Sequence, residues 1–385
     1  MGICEFFSFL CCGSSGSKEH RANNNHVHAA KPKIQTYPTL NDIPLGEWQD
    51  TNSGQVYKPG TIHKPATPTS TISSSNSAST TFPTSEELSN LRLAIEKLWS
   101  LDSNRLNPGL DYELYLHKAT NNQSSSHKLF RYVNEPRILT IPTYKYFYDL
   151  MDNYHSETGV EEVFGAKEEG EIEAFLKAFS QTKPGQYLHQ YLVAKRLCSG
   201  DPITFRRMLY DIWFKLYRRG GKNDSSAFEH VFLGEIREGE VIGFHNWLFF
   251  YYEEKAQRLN YHGYVPPHHS HVLQNPSGKE HLLTTRFTWK DCCKSFSSGF
   301  VGTSPEFEFA LYTLCFLTKQ ERAAASLSGF ETDIIVHSFL SRGSASLGPA
   351  ILQSNKQWFP GGLPSRLTRN MTVPVRDIIP CKYPS

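Results

Sequence analysis

His230 and His245 lie on either side of a reversal at Arg237-Glu238. If both arms run extended, the fold-back draws the two imidazoles towards each other. Two imidazoles at one cleft suit the transesterification of RNA. One takes the proton from a ribose 2′-OH and the other protonates the departing 5′-oxygen. Imidazole fits both tasks because it titrates near neutral pH. A nearby ammonium group would stabilise the charge that builds on phosphorus. The ribose supplies the nucleophile, so the product is a 2′,3′-cyclic phosphate. The chain holds 16 histidines, however, so spacing alone does not separate such a pair from two that fall beside a turn by chance.

The stretches around these residues say more. Phe228-Glu229-His230-Val231-Phe232-Leu233-Gly234-Glu235 is followed by Gly243-Phe244-His245-Asn246-Trp247. The pair resembles the double-histidine signature of the EndoU (poly(U)-specific endoribonuclease) family. Downstream, Lys294-Ser295-Phe296-Ser297-Ser298-Gly299-Phe300-Val301-Gly302-Thr303-Ser304-Pro305-Glu306-Phe307-Glu308 resembles the family's lysine-bearing hairpin and helix. Leu98 to Leu106 and Pro142-Thr143-Tyr144 look like its N-terminal lobe. The likeness runs from about Ser85 to Ser354.

The resemblance implies a uridine-preferring endoribonuclease of the transesterifying type acting on single-stranded RNA. His245 would be the general base, His230 the general acid, with the roles exchangeable, and Lys294 the phosphate-stabilising cation. Lys290 is the runner-up. Glu229 and Glu235 match acidic positions that orient the histidines or help the metal. In an ideal strand Glu229 and His230 point to opposite faces, which would put Glu229 behind the site or in a bulge; ordinary ion pairing is the alternative for both glutamates. Ser298 is the candidate uridine-selecting hydroxyl, and Ser338 with Phe339 the matching element on the last strand. The family usually has Tyr where Phe339 stands. Phe can stack on a base but cannot donate a hydrogen bond, which bears on how strictly uridine is chosen. The resemblance also implies Mn2+, held by oxygen ligands that the sequence does not identify. The rival from another class is an inactive relative that keeps the fold and binds RNA or a membrane; a metal-dependent hydrolase would want clustered carboxylates near the histidines.

The elements that must carry these residues can be read in outline. Leu88, Leu91, Ala94, Ile95 and Leu98 recur at helical spacing, so a first helix should run from Ser85, as N-cap, to about Trp99. Further helices are expected after Thr143 and over Phe205 to Arg218, with Leu209, Ile212, Trp213 and Leu216 inward. Glu161 to Glu173 reads as a solvated face or loop. Phe228 to Ile236 reads as a strand, returning to Gly243, and Phe244, Trp247, Leu248 and Tyr251 then follow at helical spacing. Leu282 to Trp289 and Ser295 to Val301 read as a linked strand pair. Phe307 to Cys315 reads as an amphipathic helix with Thr303 and Glu306 at capping-box spacing. Asp333 to Leu340 is a last strand before an irregular tail. The class is α+β: a mainly helical lobe over about 85–220 and a lobe rich in antiparallel sheet over about 221–360.

Composition sets the remaining bounds. A net charge of +2 excludes a global basic field, so any RNA-binding charge must be local. The run from Lys195 to Lys222 could track phosphates or be a solvated helix face. Residues 1–84, rich in Ser, Thr, Asn and Pro, read as a disordered arm. No apolar run is long enough to span a membrane. The start offers Gly2 for myristate and Cys4, Cys11 and Cys12 for palmitate, although Phe6 stands where the myristoylation pattern wants Ser or Thr; a tail with incidental cysteines is the alternative. Membrane association would then come through acylation at a cytoplasmic face. The eight cysteines form no CxxC pair and read as free thiols. His268, His269 and His271 read as a loop before an adventitious metal site. No protein partner is implied, and a monomer is expected.

Overall fold

The computed structural model describes residues 48–49, 56–57, 81–119, 127–266, 278–320, 322–341 and 344–354. Gly2, Cys4, Cys11, Cys12 and the His268-His269-His271 cluster lie outside the described residues. Within the arm, Trp48–Gln49 (β1) pairs with Val56–Tyr57 (β2), a short antiparallel ladder where only disorder was expected. The described residues belong to one compact unit, Tyr37–Ser385.

The first expected helix is two. Thr84, not Ser85, caps Ser85–Ser89 (α1) and forms a reciprocal capping box with Glu87. Asn90 then breaks the run by capping Leu91–Leu101 (α2) with its own side chain. Ala94, Ile95, Leu98 and Leu101 are the buried stripe of α2. The strands Tyr112–Leu114 (β3) and Phe130–Val133 (β4) pair and lead into Glu135–Ile138 (α3) and Pro142–Asp149 (α4). Ala166–Gln181 (α5) takes up the end of the acidic stretch as helix, with Ile172, Phe175, Leu176 and Phe179 buried. Lys183–Ala194 (α6) and Pro202–Trp213 (α7) complete the helical part; α7 stops short of Arg218, and Leu216 is only half-buried.

Glu229–Leu233 is a single π-helical turn, not the expected strand. A short run of mixed polar and apolar residues carries no decisive period, and here Phe228 and Phe232 pack as helical neighbours, 5.1 Å between ring centroids. Glu235–Arg237 (β5) and Glu240–Ile242 (β6) follow as a hairpin. Its turn residues, Glu238 and Gly239, both have positive φ, the two-residue turn whose twist matches the flanking strands. Trp247–Lys255 (α8), Leu259–Tyr264 (β7), Leu282–Trp289 (β8) and Cys292–Phe300 (β9) come next. The resulting five-stranded sheet has the order β5-β6-β9-β8-β7, with β6 and β9 parallel and the rest antiparallel.

Pro305–Leu317 (α9) is buried almost all round rather than amphipathic, a central helix of the molecule. Its cap is Ser304, whose hydroxyl accepts the Phe307 amide. Thr303 instead donates to the Glu308 carboxylate at 2.8 Å, so the expected Thr303–Glu306 box does not form. Arg322–Leu327 (β10), Phe330–Ser341 (β11) and Ser344–Ser354 (β12) make a three-stranded antiparallel sheet. β12 replaces the irregular tail expected after Leu340. One aromatic-rich core runs from Ala94 to Val336 and joins the helical part to both sheets. The fold is α+β. No helix among the described residues is long and apolar enough to cross a membrane. Cys198, Cys292 and Cys315 are free as expected, but Cys293 is disulfide-bonded.

Candidate active site

The π-turn and the residues after β6 are clasped backbone to backbone. The Phe244 amide donates to the His230 carbonyl and the His245 amide to that of Val231, at 3.2 and 3.0 Å. The approach is too close for a side chain at Gly243: a Cβ there would stand 1.7 Å from the His230 oxygen. Gly299 on β9 is under the same constraint, since a Cβ would stand 2.4 Å from the His245 oxygen. The two glycines let three chain segments meet, and those segments carry His230, His245 and Lys294.

The imidazoles are anchored differently. His245 Nδ1 lies 2.9 Å from the Ser298 carbonyl oxygen. A carbonyl can only accept, so Nδ1 carries the proton and Nε2 holds the lone pair. Ser297 Oγ lies 3.2 Å from the same nitrogen and donates to the Phe244 carbonyl at 2.8 Å. This bond steadies Phe244, whose φ of 67° is uncommon for a residue with a side chain. His230 Nδ1 lies 2.5 Å from Glu235 Oε2, a charge-assisted pair. Arg219 Nε approaches the same oxygen at 3.2 Å. His230 Nε2 has no hydrogen-bond partner among the described residues.

Electrostatics ties the three groups together. Burial first, then the Lys294 ammonium, the Ser298 bond and His230, set the His245 pKa, which is lowered to about 3. His230 is also lowered, by burial, with Glu235 pulling back upward and Arg219 and Lys294 adding to the fall. Burial brings Lys294 itself down to about 8, against a small upward pull from Glu240. Its Nζ donates to the Val241 carbonyl at 3.0 Å, which holds it over β6. Lys290 takes no part. It sits in the β8–β9 turn, donates to Ser156 Oγ at 2.7 Å, and figures in neither histidine's electrostatics.

Of the two glutamates, Glu235 reaches a histidine and Glu229 does not. Glu229 is buried in the π-turn beside His230 rather than on an opposite strand face, and its carboxylate accepts the Ser226 amide at 3.3 Å. Burial, with Glu235 and Glu162 close by, pushes its pKa well above the usual carboxylate range. Ser298 serves the site through its carbonyl, while its hydroxyl pairs with Thr284 Oγ1 at 2.7 Å. Ser338 and Phe339 lie on β11, opposite Leu347 and Ser346 of β12. β12 runs past both the π-turn and β9, which brings this last sheet alongside the site.

The sequence did not single out Arg219, Glu162 or Ser297. Arg219 was one charge in a basic run, and nothing in its spacing tied it to Glu235. Among the described residues no group of three or more His, Cys, Asp or Glu side chains is placed to hold a metal ion. No side chain among the described residues is therefore assigned to Mn2+.

The family model described as Endoribonuclease XendoU matches residues 90–351. The uridylate-specific endoribonuclease B of Danio rerio is 42% identical over 261 residues, covering 65% of this chain and 91% of the relative. The poly(U)-specific endoribonuclease of Xenopus tropicalis is 39% identical over 287 residues, covering 70% of this chain and 94% of the relative. A solved structure described as XendoU, a splicing independent snoRNA processing endoribonuclease, superposes with a TM-score of 0.62 at 38% identity. It covers 69% of this chain and 97% of that one.

Proposed function

The chain belongs to the XendoU family of endoribonucleases, and from that premise we propose that it cuts single-stranded RNA at uridines by attack of the ribose 2′-OH. His245 Nε2, with its proton fixed on Nδ1, accepts the proton from the 2′-OH. The 2′-oxygen bonds to phosphorus, and the bond from phosphorus to the 5′-oxygen breaks. His230 delivers a proton from Nε2 to that leaving oxygen, giving a 5′-hydroxyl and a 2′,3′-cyclic phosphate. The Lys294 ammonium stabilises the charge on the five-coordinate phosphorus.

The observation that carries this reading is the unlike anchoring of the two Nδ1 atoms. Burial and the Lys294 ammonium outweigh the upward pull of the Ser298 carbonyl and bring the His245 pKa down to about 3, so it is a base at neutral pH. The Glu235 carboxylate favours the imidazolium of His230, so it is the acid. A bound phosphodiester adds negative charge beside all three groups and favours their protonated forms further. Of the two orders the sequence left open, this unlike anchoring supports His245 as base and His230 as acid.

Uridine preference rests on the relatives' specificity and on the Ser298–Thr284 hydroxyl pair beside the catalytic strand. Manganese assistance is proposed from the family resemblance alone, with no step assigned to it. The test is cleavage of a uridine-containing oligonucleotide, with and without Mn2+, by the wild type and by His230→Ala and His245→Ala. Wild-type cutting that falls about 10²- to 10⁴-fold in each variant supports the assignment. Equal cutting by all three contradicts it.

A further inference from the structure

Arg219 reaches the acid half of the site, and the mechanism gives it no task. Its Nε lies 3.2 Å from Glu235 Oε2, the oxygen that His230 Nδ1 also uses at 2.5 Å. Guanidinium and imidazole thus share one carboxylate oxygen. Glu235 Oε1 is buried and has no hydrogen-bond partner among the described residues.

The loop between α7 and the π-turn is built to place that guanidinium. The Tyr217 amide closes it by donating to the Ser225 carbonyl at 2.9 Å. Inside, the Asp224 carboxylate accepts the amides of Arg219, Gly220 and Gly221, and that of Gly159 from another segment. Burial pushes the Asp224 carboxyl up, but these amides outweigh it and hold the pKa below the usual carboxylate range. Asp224 therefore needs no cation, and the Arg219 head group is left for other partners. Its Nη2 donates to the Tyr217 hydroxyl at 2.7 Å and its Nε to Ser225 Oγ at 3.2 Å. With Glu235 these contacts fix a side chain that is almost wholly inside the fold.

Glu162, Glu229 and Glu235 are all buried in this region, and Arg219 makes its ion pair with Glu235 alone. Burial pushes Glu162 up to about 8, with the His155 amide pulling back and Asp224 and Glu235 adding to the rise. Glu229 is raised well above the usual range by burial and by the other two. Both carry a proton at neutral pH. Glu235 is the carboxyl that meets a guanidinium, a contact that favours its charged form.

Arg219 acts on the imidazole in two opposed ways. Through Glu235 it steadies the anion that favours the imidazolium. Its own charge disfavours that imidazolium directly. The groups facing His230 are Glu235 from β5, Arg219 from the loop, Lys294 from β9 and His245 from the segment after β6. An imidazolium held too firmly is a poor acid, and one held too loosely is not charged at neutral pH.

We propose that Arg219 is a positioning residue for the general acid: it pins the carboxylate oxygen that His230 uses and keeps the proton on His230 transferable. The assignment rests on the endoribonuclease reading and extends it to a group that acts only through Glu235 and His230.

The test compares the full-length wild type with Arg219→Lys, Arg219→Met and Arg219→Gln. It reads kcat and the pH profile of kcat/KM on a single-uridine oligonucleotide, and titrates the His230 imidazole by NMR in the free protein. Met and Gln remove the charge, and Lys keeps it. Losing a cation beside the imidazolium raises the His230 pKa. In the Met and Gln variants the fall of kcat/KM at rising pH should therefore move up by about one pH unit, and the NMR titration with it. Their kcat should drop roughly 10- to 100-fold, because Glu235 is no longer pinned, while KM hardly changes. The Lys variant should keep the fall at the wild-type pH. An unmoved or lowered His230 titration in Met and Gln, or an undiminished kcat, overturns the positioning role. Uncharged variants that fail to fold in thermal unfolding leave Arg219 a structural cation and overturn it equally. Failure of the wild type to cut any uridine-containing substrate counts instead against the endoribonuclease reading, and the NMR titration still tests Arg219.

Discussion

His230 and His245 are fifteen positions apart in sequence, and their surroundings differ in kind. The π-turn side is ionic: His230 meets Glu235, which meets Arg219, with Glu162 and Glu229 close behind. The β9 side is neutral: His245 meets a carbonyl and a serine hydroxyl. On the proposed mechanism these surroundings give two chemically identical side chains opposite tasks. A buried carboxylate favours the imidazolium of one, while a carbonyl fixes the tautomer of the other and burial with Lys294 outweighs its upward pull.

The sharpest way to break this contrast is to neutralise the ionic side. Glu235→Gln keeps the shape but removes the charge, and its amide can present a donor to His230 Nδ1. It also leaves Arg219, 12% exposed, without its carboxylate partner. We expect kcat to fall roughly 10²- to 10⁴-fold, the full worth of a general acid. A variant within tenfold of wild type in steady-state kinetics would show that the carboxylate is not needed for acid catalysis.

Removing the cation common to both sides is the next largest change. Lys294→Ala should lower kcat by about 10²- to 10³-fold, the usual cost of one group that stabilises transition-state charge. It should also let both histidines titrate higher, because Lys294 depresses each. NMR titration of the imidazoles checks the second point.

The pH dependence follows with its sign. His230 must carry a proton, and its pKa lies below the ordinary 6.5. Lys294 must be charged, and its pKa is about 8. His245 must be neutral, which holds down to about pH 3. The kcat/KM profile of the free enzyme should therefore fall as pH rises through the His230 value, and fall more steeply beyond about 8. Glu235→Gln should move the first fall to lower pH. A profile that rises between pH 7 and 9 would contradict these assignments.

The smallest effect belongs to the neutral side. Ser297→Ala removes the hydroxyl that ties Phe244 to β9 but leaves the Ser298 carbonyl in place. The loss of one such hydrogen bond, about 1 kcal/mol, predicts roughly a fivefold drop in kcat with KM unchanged. A loss as large as that of Glu235→Gln would erase the distinction between the two sides.

Much of this arrangement was legible in the sequence because it sits in contiguous words. The hairpin turn at Glu238-Gly239, the β8–β9 pair and the placing of Lys294 all follow from local residue order. The π-turn was not legible, since Phe228 to Leu233 is too short for its two polar residues, Glu229 and His230, to set a period, and long-range packing decides its form. Asn90 and Ser304 were missed as caps for a related reason: neighbouring Ser85 and Thr303 offer the same chemistry one or a few positions away. Arg219 and Ser297 escaped notice because their roles exist only once distant segments meet. β12 carries Gly348 and Pro349, which argue against a strand locally, yet it pairs along β11 from Thr332 to Ser341.

The central claim is that the ribose of the substrate is the nucleophile and two imidazoles move its protons. End-group analysis of the first products, by mass spectrometry of a single-uridine oligonucleotide, tests it most directly. The account predicts a 2′,3′-cyclic phosphate on one fragment, a 5′-hydroxyl on the other, and no cutting when the uridine is replaced by 2′-deoxyuridine. A linear phosphate formed without a cyclic precursor, or unimpaired cutting at deoxyuridine, would contradict it.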